Sequence, residues 1–178
     1  MPVRTIVLEG VDCSGKSSIC SELIGSLNAK QFHFAFPKGN SVEEKYGFQF
    51  GQFDMLFEMI NIMEGNLVLD RAWAGEYVYG PKYRDRYPEY LRGLEEHWKS
   101  LPIALVFVEC KPEIVHQRHL SRGETAPPVK DIDLLQSKFS VFCKHSPFYL
   151  RTVRTDLSSS PRDIADSILD QIAEEKRW

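Results

Sequence analysis

The stretch Leu8–Ser18, LEGVDCSGKSS, decides the fold. Gly10, Gly15, Lys16 and Ser17 stand at the offsets G-x-x-x-x-G-K-[ST] of a phosphate-binding loop, or P-loop, and the spacing has a mechanical reason. Glycine lets the backbone turn tightly enough for successive N–H groups to point at one anion. Lysine reaches the terminal phosphates, and a serine hydroxyl can ligate Mg²⁺. The helix that follows adds the positive end of its dipole. The candidate ATP-binding segment is therefore the run from Gly10 through Asp12, Cys13, Ser14, Gly15, Lys16, Ser17 and Ser18. Its context agrees: TIVLE precedes it as an apolar strand, and Ile19, Leu23 and Leu27 follow at helical spacing. Asp12, an acid inside an anion loop, needs a separate explanation.

Outward from the loop, strands are expected at Thr5–Glu9, Gln31–Phe36, Leu67–Asp70, Ile103–Cys110 and Tyr149–Thr155. Helices are expected at Ser17–Asn28, Gln52–Met63, Ala74–Val78, Glu89–Lys99, Pro112–Ser121, Ile132–Lys144 and Pro161–Lys176. Strands alternating with helices imply a parallel sheet covered on both faces, an α/β fold. Pro37–Gly47 and Gly123–Lys130 fit neither pattern and are candidate substrate and lid segments. At 178 residues the chain is expected to be one domain, 1–178, with a small lid around 118–130.

Composition narrows the function class. A formal net charge of −3 gives no electrostatic case for stable nucleic-acid binding. Cys13, Cys20, Cys110 and Cys143 show neither a CxxC pair nor zinc spacing, and two lie in or beside the loop. Reduced thiols and a cytoplasmic setting are expected. IALVFV, the longest apolar run, is too short to cross a bilayer.

Other residues carry candidate chemistry. Asp70 ends LVLDR at a strand's carboxyl end, where ligands gather in α/β sheets; with Ser17 it is the candidate metal site for Mg²⁺. Arg71 beside it offers a fork that fits a phosphate, or forms a structural pair with Asp70. Arg118 and Arg122 lie four apart on one helix face, at the root of a proline-containing loop. They read either as a closing clamp on donor phosphates or as a solvated basic face. From His116 to Arg154 there are seven Lys/Arg against three Asp/Glu. His116 and His119 lack a third ligand at zinc spacing. In QFDMLFEMINIM, Met55, Met59 and Met63 read as a core stripe, while Phe53 and Phe57 are candidates to stack on a base. Tyr79 and Arg84 lie just past the Asp70–Arg71 pair and are further substrate candidates.

These motifs resemble, in order and over nearly the whole chain, the thymidylate kinase family of nucleoside monophosphate kinases. LEGVDCSGKSS is similar to that family's first loop, whose acid contacts the acceptor sugar's 3′-hydroxyl; Asp12 inherits that role by resemblance. AFPKG resembles the Phe-Pro segment after the second strand, bringing in Phe36 and Lys38. LDRAWAGEYVYG resembles the Asp-Arg-Tyr segment, with Ala72 in place of the tyrosine, and QRHLSRGE resembles the lid. The resemblance implies a five-stranded parallel sheet of order 2-3-1-4-5 and an ATP- and Mg²⁺-dependent kinase. Arg71 would grip the acceptor monophosphate, and Tyr79 would lie near its base. No Arg or Lys lies between Lys45 and Arg71, where the family carries an arginine that helps read thymine. That absence and the YGPKYR extension point to a divergent branch with altered base choice, a viral one among the candidates.

Three functions compete at this stage. The first is a (deoxy)nucleoside monophosphate kinase turning dNMP into dNDP. The second is a kinase of a deoxynucleoside or of a hydroxylated base, for which Glu9 is a candidate general base. The third is a nucleotide-binding module without a small acceptor. Small nucleotides are the expected partners, no membrane is expected, and a homodimer is left open.

Overall fold

The computed structural model describes residues 5–33, 42–83 and 88–175. The elements run β1 (Thr5–Glu9), α1 (Lys16–Leu27), β2 (Lys30–His33), α2 (Val42–Ile62), β3 (Leu67–Asp70), α3 (Trp73–Tyr83), α4 (Tyr90–His97), β4 (Ile103–Glu109), α5 (Pro112–Ser121), α6 (Val129–Lys144), β5 (Tyr149–Arg154) and α7 (Pro161–Glu174). The five strands form one parallel sheet in the order β2-β3-β1-β4-β5. This is the α/β/α sandwich that the sequence pattern implies.

Each strand feeds two cores because alternate side chains point to opposite faces. In β4, Ile103, Leu105 and Phe107 join Val7, Leu67 and Leu69 under α2, α3, α4 and α6. Ala104, Val106 and Val108 join Ile6, Leu8 and Val68 under α1 and α7. β1 is therefore buried along its whole length, and the P-loop springs from the most enclosed strand.

Helix ends follow local chemistry. Pro112 and Pro161 occupy first-turn positions, where a missing N–H costs nothing. Ser160 and Asp163 close a capping box on α7. α2 begins at Val42, ten residues before its expected start, running through Gly47 and Gly51. Packing of Phe53, Leu56, Phe57 and Ile60 outweighs the roughly 1 kcal/mol propensity cost of each glycine. α3 runs on to Tyr83 through Pro81, beyond the expected Val78. Strand β2 ends at His33 within the described residues, and α6 starts at Val129, directly after Pro128.

The junction of β1 with α3 is held by Glu9. Its side chain is fully buried, and Oε1 accepts the N–H of Ala72 at 2.8 Å and of Ala74 at 3.0 Å. It thereby caps the orphan donors of α3. Burial outweighs these bonds and lifts its carboxyl to about 7. Relative to an unfolded value near 4.5, the folded state then holds the proton more tightly. That stabilising contribution is present in full below pH 4.5 and is lost as pH rises through 7. Glu9→Gln should therefore flatten the stability profile between pH 4.5 and 7 in denaturant melts. Glu9→Ala, which orphans two buried N–H groups, should cost about 2 kcal/mol or more.

Candidate functional site

The P-loop wraps an anion-sized hollow at the carboxyl edge of the sheet. Gly10 has φ +149°, and a Cβ there would stand 2.4 Å from the carbonyl oxygen of Val108, so no other residue fits. Gly15 has φ +99° and faces the Thr155 side chain. Lys16 is buried, its ammonium folded back to donate to the carbonyls of Gly10 at 2.9 Å and Val11 at 2.6 Å. Burial first, and the nearby Arg71 charge second, bring its pKa down to about 8. Burial likewise pushes the Cys13 thiol up.

Opposite Lys16, the Ser17 hydroxyl donates to Asp70 Oδ2 at 2.7 Å, while Asp70 Oδ1 is buried with no hydrogen-bond partner. Two hard oxygen ligands, one with an orphaned atom, suit Mg²⁺ in the manner of P-loop sites. Arg71 has a left-handed backbone, φ +75°, sustained by its N–H bond to the carbonyl of Leu8. Such a conformation in a non-glycine residue is a strained one. Its guanidinium pairs with the Asp12 carboxylate, both side chains being partly exposed. Asp70 is thus not its partner, and the alternative of a structural Asp70–Arg71 pair gives way to Arg71–Asp12. Asp12, Lys16, Ser17, Asp70, Arg71 and Arg122 share one cavity of about 140 Å³.

The structure separates the two arginines expected to clamp the donor phosphates. Arg118 donates to the carbonyls of Cys13 and Thr155, both at 3.1 Å, bracketing the P-loop against the end of β5. Arg122 is exposed, caps α5, and makes no side-chain hydrogen bond or ion pair among the described residues. It lines the phosphate cavity and a neighbouring one of about 290 Å³ between the P-loop, α1 and the β5–α7 segment.

Three aromatic expectations meet different fates. Phe57 is fully buried, stacked with Trp98 and Phe148 and tilted on Trp73; Phe53 lies in the same core. Neither stands at the sheet rim, which corrects the base-stacking assignment of both. Met55 is 66% exposed while Met59 packs against the core from its edge, so the buried stripe of α2 is Phe53–Leu56–Phe57–Ile60. Tyr79 packs edge-on against Phe139, and its hydroxyl takes a hydrogen bond from the Asp12 backbone. Phe36, Lys38 and Arg84 lie outside the described residues. Thr155, whose hydroxyl donates to the Ser14 carbonyl, was missed by the sequence reading. Its place just past a strand's carboxyl end is the signal that points to it.

A parallel α/β sheet with this loop, and an Asp-Arg pair on the adjacent strand, defines a P-loop kinase, a phosphotransferase. No family model matches the chain. Its sequence is 31% identical over 134 residues to the SPbeta prophage-derived uncharacterized protein YorR of Bacillus subtilis (strain 168), covering 72% of this chain and 74% of that one. It is 28% identical over 198 residues to a probable thymidylate kinase of Methanosarcina barkeri, covering 96% of each. The crystal structure of YorR in complex with phosphorylated GDP superposes with a TM-score of 0.73 at 25% identity, over 95% of both chains. Thymidylate kinase from Candida albicans (TM-score 0.63, 16% identity, 99% of this chain and 93% of that one) shares the fold. The chain belongs to the thymidylate kinase-like family of P-loop kinases.

The Lys16 environment predicts a pH effect on ATP binding. Below pH 8 the free protein carries the ammonium; above it, binding must first recharge the amine. ATP affinity should therefore fall by up to about tenfold per pH unit above pH 8. Titration calorimetry from pH 7 to 9.5 checks this, a flat profile being the contrary result.

Proposed function

We propose that the protein is an ATP- and Mg²⁺-dependent deoxynucleoside monophosphate kinase, forming dNDP and ADP. The observation that carries this reading is the Arg71 guanidinium, held at the cavity mouth by a partly exposed carboxylate that an acceptor phosphate can displace. The donor phosphates lie in the loop from Gly10 to Ser18. An oxygen of the acceptor monophosphate attacks the γ-phosphorus, and the bond to the β–γ bridging oxygen breaks, releasing ADP. The acceptor oxygen is already a competent nucleophile, so the protein contributes position and positive charge. Lys16 leaves its two carbonyl partners for the donor's terminal phosphates. Arg122, with a free guanidinium, closes over the transferring group, and Arg118 holds the loop in shape behind it. Ser17 and Asp70 would hold Mg²⁺, which supplies charge neutralisation on the phosphates. Asp12, released from Arg71, faces the acceptor sugar, and Tyr79 keeps the Asp12 backbone in place.

The alternative acceptor, a nucleoside or a hydroxylated base, needs a carboxylate base. Glu9 holds the N–H groups of α3 on Oε1, and although Oε2 has no partner the side chain is fully buried and does not line the phosphate cavity, which favours the monophosphate.

An ADP-release assay over the common NMPs, dNMPs and nucleosides tests the reading; faster turnover of any nucleoside than of every dNMP would overturn it. Lys16→Ala should reduce kcat by about 10³-fold or more. Arg71→Lys should raise KM for the dNMP and lower kcat, because a point charge cannot reproduce the fork. The lid arginines should divide. Arg118→Ala should lower the melting temperature as well as activity, whereas Arg122→Ala should lower kcat with the melting temperature unchanged.

A further inference from the structure

Phosphate binding leaves one feature of the site unexplained: Glu124, a carboxylate on the wall of an anion cavity. Asp12 has Arg71 to offset it, but Glu124 faces a different partner. Its Oε2 stands 2.8 Å from His119 Nδ1, and the Cys13 thiol completes a cluster. One ligand atom from each of the three residues lies within 4.8 Å of the others. Cys13 comes from the P-loop, His119 from the last turn of α5, and Glu124 from the segment beyond it.

Backbone geometry builds this convergence. Gly123 has φ +72°, which turns the chain back so that the Glu124 N–H donates to the His119 carbonyl at 3.1 Å. Cys13 is itself left-handed, φ +61°, with its carbonyl held by Arg118. Cys13 and His119 are buried, while Glu124 is half exposed and leaves one side open to solvent.

We propose that Cys13, His119 and Glu124 form a binding site for a divalent cation of zinc type, which staples the lid root to the phosphate loop. A thiolate, an imidazole and a carboxylate are together the donor set of Zn²⁺ and its surrogate Co²⁺; Mg²⁺ prefers oxygen alone. Tetrahedral Zn²⁺ with ordinary bond lengths holds such donors about 3.3–3.6 Å apart. Donor atoms within 4.8 Å of one another therefore need to close by up to about 1.5 Å to meet one ion. Three protein ligands leave a fourth position for water or a phosphate oxygen. On binding, the Cys13 S–H bond breaks, its proton passes to solvent, and the sulfur lone pair goes to the metal. Because Arg122 lies between His119 and Glu124, the bound ion would restrain the turn that carries this arginine. That consequence for activity rests on the kinase reading; the binding itself does not.

The test uses the full chain, with Co²⁺ as a spectroscopic probe and Zn²⁺ competed against a chromogenic chelator. The expected result is one Co²⁺ per chain with a thiolate-to-cobalt charge-transfer band, displaced by Zn²⁺ and unaffected by excess Mg²⁺. Cys13→Ser should abolish the band. Glu124→Gln, a near-isosteric change at a half-exposed position, should weaken Zn²⁺ binding by about tenfold or more, as should His119→Gln. Absence of a stoichiometric band would overturn the proposal. So would a band surviving Cys13→Ser, or wild-type Zn²⁺ affinity in Glu124→Gln. In the ADP-release assay Zn²⁺ should inhibit wild type more than Glu124→Gln, each compared with its own metal-free rate; equal inhibition would remove the staple. A chain that binds Co²⁺ through Cys13 but transfers no phosphoryl group would sink the kinase reading and leave the metal site standing.

Discussion

The Glu9 carboxylate, buried between the end of β1 and the start of α3, is the contact on which the geometry of the site depends. It immediately precedes Gly10, so any shift of this side chain moves the first residue of the P-loop. Its bonds to Ala72 and Ala74 fix the first turn of α3, whose dipole also favours a negative group there. Asp70, the last residue of β3, and Arg71 directly precede those anchors and have little freedom left. On the other side, the near contact of Gly10 with the Val108 carbonyl sets how deeply the loop sits against β4. One acid and one absent side chain thus register three strands around a single hollow.

Within that hollow, each functional group has a partner that a ligand can replace. Lys16 rests on two carbonyls, Arg71 on Asp12, and Ser17 on Asp70. These partnerships keep the cations in place without neutralising them completely; the lowered Lys16 pKa reflects what remains uncompensated. An incoming polyphosphate relieves this cost, since it supplies the counter-charge that backbone carbonyls only approximate. Arg118 is arranged differently: both of its carbonyl bonds close the P-loop onto the end of β5, so its charge supports the loop from behind.

What was legible in the sequence follows from how local the signal is. β1, β3, α5 and the P-loop were readable because apolar runs, prolines and glycine spacing are short-range constraints, and the strand order followed from the family resemblance. Phe57 was harder, because a phenylalanine on a helix reads the same whether it faces a base or Trp73 and Trp98. The early start of α2 was hidden by Gly47 and Gly51, poor helix formers that tertiary packing overrides. Arg118 and Arg122 looked equivalent at a spacing of four. Only the position of Thr155, brought alongside by the β4–β5 pairing, distinguishes the one that braces from the one left free. The Cys13–His119–Glu124 cluster joins residues more than a hundred positions apart, beyond any motif spacing.

The choice of acceptor turns on where a proton would go. A hydroxyl must lose one during transfer, and a carboxylate with a free lone pair is the usual recipient. The cavity contains three carboxylates among the described residues: Asp12 pairs with Arg71, Glu124 with His119, and Asp70 accepts from Ser17 on Oδ2, its unpartnered Oδ1 being the oxygen proposed for Mg²⁺. Glu9, the fourth acid nearby, is sealed under α3. A monophosphate makes no such demand, because it arrives deprotonated and needs cations. Lys16, Arg71 and Arg122 provide three around one cavity. Three cations that can each meet a phosphate oxygen, with Asp70 proposed to hold Mg²⁺ and Glu9 off the cavity wall, are what favour a phosphate oxygen as the nucleophile.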